Sequence, residues 1–246
     1  MEDSAVSPEL ASVAVVDEPV ARQLRRLRLW FVSYLVWIGV LFAVALAAFH
    51  RYEAGGSPHA RALWLLALGA FYLSLCNSLL PLPTAWIVLL LASDDVALVA
   101  NPWARVALVS LLATTATVMA NLNEYHLLGY IFRARLGQRI RRSHVYRWAL
   151  RWFDVAPFQT LMLVSFVPLP IDFVRWLAIL RRYPRPRFAA AYWLGRLPRY
   201  VLMAGVAVML RLSTWQIAWI QIAIVALIGA HFGYQALRRR YQPAAA

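Results

Sequence analysis

The chain contains no lysine and a single cysteine, Cys76. One thiol can neither close an intramolecular disulfide nor supply a cysteine-based metal site, which leaves Cys76 as a small apolar side chain. Acids are scarce as well, 11 against 25 basic residues, every one of the latter an arginine. The first twenty residues reverse that balance, with Glu2, Asp3, Glu9, Asp17 and Glu18 and no base. That excludes the positive n-region of a signal peptide, so the first twenty residues read as a disordered acidic tail. Also missing are a nucleophile beside a base, a histidine-rich metal spacing and a glycine loop able to cradle phosphate. The sequence therefore predicts no enzyme, no cofactor and no metal.

What the chain does have is apolar surface. Of its 246 residues 62% are hydrophobic, eleven are tryptophan, and the mean hydropathy is +0.60. No soluble domain of this size could bury so much, so the bilayer must solvate most of it. The net charge of +14 resides in arginines clustered between apolar segments. Such clustering points to membrane topology and to lipids with anionic head groups as partners, not to nucleic acid.

Arg22, Arg25, Arg26 and Arg28 precede an apolar run from Leu29 to Phe49, long enough to cross a core of ~30 Å. Residues 50–61, with Gly55-Gly56-Ser57-Pro58, read as an external turn-rich loop. Apolar sequence resumes at Ala62, is interrupted at Pro81-Leu82-Pro83, and continues from Thr84 to Ala92. The last piece would rise only ~14 Å as a helix, half a bilayer. One kinked span, two spans, or a re-entrant hairpin could account for residues 62–92. The next run, Trp103 to Phe132, leads into seven arginines between Arg133 and Arg151. Only an even number of crossings before it keeps that segment on the cytoplasmic side, and the short arm excludes two full spans, so a hairpin is predicted.

Pro81 and Pro83 recur as Pro168 and Pro170 at an offset of 87 residues. Each proline removes an N–H and clashes with the preceding turn, so both sites break a helix. Residues 155–180 also lie between arginine-rich flanks, which makes them a second hairpin. Phe188 to Leu210 and Trp215 to Leu237 then cross out and back. Eighteen arginines fall on the cytoplasmic side of this scheme and four on the other face. The predicted fold is an all-α polytopic membrane protein with about four full transmembrane helices and two opposed re-entrant helical hairpins in an inverted repeat. Residues 1–28 form the tail and basic flank, 29–237 the membrane domain, and 238–246 a cytoplasmic tail. Residues 138–153, where arginines interleave with Trp148 and Trp152, suit a helix lying on anionic lipid.

A charge at bilayer depth costs about 3 kcal/mol or more unless it is paired or wetted, so each is a functional candidate. Asp172, Arg175, Arg196, Arg199 and Glu124 qualify. Asp172 and Arg175 share a helical face three residues apart, and so do Arg196 and Arg199. Gly195 would admit a closely packed helix, and Pro198 should bend its own. Asp172 is expected to face Arg196 or Arg199. Glu124 could carry a proton, but a place near the cytoplasmic interface beside Arg133 is favoured. Asp94 and Asp95 read as a solvated loop. Three arginines against one or two acids leave cationic capacity suited to a phosphate, since the guanidinium fork matches its oxygens.

Residues from about 75 to 210 resemble the VTT domain of the DedA superfamily, also called SNARE-associated Golgi proteins. The resemblance rests on Pro81-Leu82-Pro83, on Gly129-Tyr130 leading to Arg133-Ala134-Arg135-Leu136-Gly137, and on Phe166-Val167-Pro168-Leu169-Pro170. Phe188 followed by Leu194-Gly195-Arg196-Leu197-Pro198-Arg199 and Gly205 completes it. It implies opposed hairpins and the flipping or scrambling of phospholipid or polyprenyl phosphate. Thr84-Ala85 stands where many bacterial members carry an acid, and residues 121–124 replace a Gly-Asp pair. Asp172 supplies an acid at the equivalent place of the second hairpin.

The expected function is lipid transport in a bacterial inner membrane, with Arg175, Arg196 and Arg199 holding a lipid phosphate, Asp172 and Glu124 balancing charge or carrying a proton, and both termini cytoplasmic. A structural or assembly protein of the membrane and an ion-coupled small-solute transporter are the alternatives. The oligomeric state is open, a homo-oligomer included.

Overall fold

A computed structural model of the chain describes residues 20–76, 84–96, 98–131, 153–167 and 173–241. Among these residues every regular element is a helix: α1 (Val20–Gly55), α2 (Pro58–Cys76), α3 (Ala85–Ala92), α4 (Pro102–Ile131), α5 (Pro157–Phe166), α6 (Phe173–Leu180), α7 (Arg185–Met209) and α8 (Thr214–Tyr241). Pro81, Pro83, Pro168, Pro170 and Asp172 lie outside the described residues, as does nearly all of the expected surface helix.

The helix limits follow local chemistry. α4 begins where Asn101 Oδ1 accepts the N–H groups of Trp103 and Ala104, at 2.9 and 3.2 Å, with Pro102 in the first turn. α1 corrects an expectation. The helix runs on through His50 to Gly55, where a loop was predicted, because nothing before the Gly55-Gly56 pair disfavours helix. It stops as Gly56 takes φ +61° and its N–H bonds Tyr52 O at 2.7 Å. α7 remains a single helix through Pro198.

Among the described residues, three helices are long and apolar enough to cross a membrane, over Leu27–Gly55, Pro102–Gly129 and Thr214–Gln235. The fourth expected span, α7, has 25 residues but carries Arg185, Arg187, Arg196 and Arg199.

Helices α4 and α7 form the centre and run antiparallel. Val106, Val109, Ala113 and Ala116 share one buried cluster with Tyr200, Ala204 and Ala207. Val118, Leu122 and Tyr125 share a second with Phe188, Ala191 and Tyr192. The short helices divide between them: α3 belongs to the first cluster and packs on α7, whereas α6 belongs to the second and packs on α4. α2 lies along α4, α5 along α7, and α1 along α2. A polar pin joins three of these helices. Tyr34 Oη donates to Ser74 O at 2.7 Å, Trp37 Nε1 to Ser74 Oγ at 3.0 Å, and Ser74 Oγ to Ala116 O at 3.4 Å.

The end of α3 returns to the start of α2, where Tyr52, Pro58, Arg61, Asp94 and Asp95 surround one pocket. Asp94 and Asp95 are exposed, in keeping with their reading as solvated, and both are also partnered. Asp94 Oδ1 lies 2.6 Å from Nη2 of the buried Arg105. Asp95 Oδ2 accepts the N–H of Thr214 at 2.9 Å and its hydroxyl at 2.7 Å, which fastens the first turn of α8 to the α3–α4 connection. At the other end of the bundle an Asp154–Arg181 ion pair joins the residues flanking α5 and α6. There too, Tyr125 Oη donates to Tyr183 O at 2.8 Å and Trp30 stacks on His126.

The hydroxyl and N–H of Thr214, with the more distant Arg61, hold the Asp95 carboxyl below its ordinary range. A depressed carboxylate adds stability above its unfolded value, and the gain is lost as pH falls through the lower folded value. Thermal stability in detergent should therefore fall below about pH 4, and Asp95→Asn should reduce that acid sensitivity.

Candidate functional site

Arg175 is the third residue of α6, at the end nearest the break before it. Its Nη1 sits 2.6 Å from Glu124 Oε2 and donates to Asn121 Oδ1 at 3.0 Å. Asn121 and Glu124 occupy one face of α4 at a spacing of three. Glu124 is only 9% exposed and Asn121 is fully enclosed. Glu124 is thus buried and paired with Arg175, while Arg133, beside which it was expected, lies outside the described residues. α6 brings the guanidinium there because Leu177, Ala178, Ile179 and Leu180 are buried in the cluster they share with α4.

Arg196 and Arg199 stand at the middle of α7. Arg196 is 8% exposed, and its guanidinium lies 5.5 Å from the ring centroid of the buried Tyr192. Arg199 is half-buried and lies 6.0 Å from the ring of Tyr200, which is itself buried. These rings offer each cation its negative face, which offsets part of the lost hydration. Arg199 Nε is shielded from solvent and has no hydrogen-bond partner among the described residues. Like charges three apart on one helix repel, so a shared anion is the arrangement that would relieve them.

Gly195 adjoins this pair at the place where α5 crosses. A Cβ there would fall on Ser165 Oγ and on the Met162 carbonyl oxygen, so α5 and α7 meet backbone against backbone. Ser165 Oγ in turn donates to Met162 O at 2.8 Å.

No family model, curated protein or solved structure matches the chain.

The structure thus brings Arg175 to Glu124, an expected site residue, and to Asn121, and sets Arg196 and Arg199 together on α7. Sequence reading missed a buried stripe on α4, Ser110, Thr114, Thr117, Asn121 and Glu124. Its alternating spacing of four and three was legible.

Two outcomes follow from this packing. Gly195→Ala should destabilise by about 1–3 kcal/mol, because a backbone carbonyl cannot give way, whereas Gly205→Ala, with open space around it, should not; melting in detergent compares them. Arg175→Ala, which strands a buried carboxylate, should cost about 3–5 kcal/mol. Adding Glu124→Gln should recover much of that loss.

Proposed function

We propose that the protein is an integral membrane transporter that moves a phosphate-headed lipid between leaflets. The observation that carries the reading is the Arg196–Arg199 pair, two cations held at mid-helix beside tyrosine rings, with the Nε of Arg199 shielded and without a hydrogen-bond partner among the described residues. An anion with several oxygens is the ligand such a pair fits. Asp172, close in sequence to Arg175, would balance the group.

Two re-entrant hairpins in an inverted repeat, within a scheme of four full spans, form the frame we infer. Support comes from the helix ends. α3 ends beside the start of α2 at one end of the bundle, while the Asp154–Arg181 pair brings the flanks of α5 and α6 together at the other. Half-helix N-termini behind the two proline breaks would add positive dipole ends near the arginines. The resemblance to the DedA and VTT proteins supports the same cargo, phospholipid or polyprenyl phosphate. Arginine-rich flanks favour cytoplasmic termini and a bacterial inner membrane, with anionic lipids around them.

One observation favours a structural role instead: Arg175 and Glu124 satisfy each other, as a pair that only packs would. Leaflet exchange in proteoliposomes separates the two readings, using head-group-labelled phospholipid and a polyprenyl phosphate. Wild type should exchange one of them, and Arg196→Ala and Arg199→Ala should slow it at least tenfold while melting as wild type does. Unchanged exchange in both variants refutes the arginine site. No exchange by folded wild type supports the structural role.

A further inference from the structure

Ser110, Thr114, Thr117, Asn121 and Glu124 fall within an arc of about 80° on α4 and extend ~21 Å along its axis. The first four are fully enclosed. A helix that only packed here would carry alanine and valine. The adjoining buried stripe does so, with Val106, Val109, Ala113, Ala116 and Ala120. Thr117 bonds back to the Ala113 and Thr114 carbonyls, at 2.9 and 3.0 Å. Ser110 Oγ, Thr114 Oγ1 and Asn121 Nδ2 are shielded from solvent and have no hydrogen-bond partner among the described residues. Folded proteins seldom leave buried polar groups unmatched, and three on one stripe have a common explanation if their partner is present in a second conformation. The stripe ends at Glu124, whose tie to Arg175 joins α4 to the short helix α6.

We propose that this face of α4 is the wall of a hydrated path, shut in this conformation, through which water reaches Glu124 from the end of the bundle where α4 begins. Water is the ligand these groups suit. They are uncharged, small and one helical turn apart, a spacing that bound waters can bridge. An anionic head group would instead be drawn to the arginines of α7. Movement of α6 away from α4 would open the Glu124 end of the path, and the proposal holds whether or not the cargo is a lipid.

The sole cysteine makes a direct test possible. In a Cys76→Ser background in lipid vesicles, single cysteines are placed at the stripe (Ser110→Cys, Thr114→Cys, Thr117→Cys) and at dry neighbours of matching depth (Val109→Cys, Val118→Cys). Silver ion, about the size of water, is added, and the thiols that escape it are counted by alkylation after denaturation and by mass spectrometry. The stripe positions should react at least tenfold faster than the neighbours, and adding Thr114→Val should slow the reaction at 117. Equal rates at all five positions, or reaction at 110 alone, would overturn the proposal. Thr117→Cys and Val118→Cys remove volume rather than add it, and they decide the comparison if another variant does not fold.

Discussion

An arginine and a glutamate shut away from water cannot each keep a charge alone. The Arg175–Glu124 contact is where this chain meets that constraint most directly. The pair joins a short helix to the central one, and Asn121 supplies the further oxygen that the guanidinium needs. Beside it, α6 is held by Leu177, Ala178, Ile179 and Leu180 in the cluster shared with α4. The same logic governs α7, where arginines sit over tyrosine rings instead of beside carboxylates. Charge in this bundle is placed only where aromatic or polar matter can receive it.

The two ends of the bundle use charge differently. There the carboxylates Asp94, Asp95 and Asp154 are each partnered close to water, where an ion pair adds little free energy but fixes which segments lie side by side. Depth is held by apolar clusters and register by these clasps. One central helix pair, α4 with α7, takes part in both clusters, so each half of the fold contributes to the other half's interior.

Much of this was legible in the sequence. The apolar runs beginning at Trp103 and spanning Thr84 to Ala92 placed the start of α4 and the limits of α3 within about a residue. The loop assigned to residues 50–61 failed because only Gly55-Gly56 and Pro58 carry its signal, and the polar residues before them are acceptable in helix. Asp172 was judged able to pair with Arg175 because they are near in sequence. Asp172 lies outside the described residues; the partners described for Arg175, Glu124 and Asn121, lie on α4, and no spacing rule links two helices separated by a long connection. The partners of Asp94 and Asp95 were hidden for the same reason, Thr214 being 119 residues distant from Asp95. The arginines of α7 were identified by their unusual depth alone, which is a property of the sequence. Gly195 was read as a place of close approach, and the structure sets α5 there.

That crossing has a mechanical consequence. With the Met162 carbonyl and Ser165 seated where a side chain would be, α5 and α7 cannot slide past one another without first separating. They behave as one stiff lever with the arginines at its middle. Any rearrangement that displaces α5 must therefore carry α7 with it, whereas α6 is latched to α4 by a polar tie.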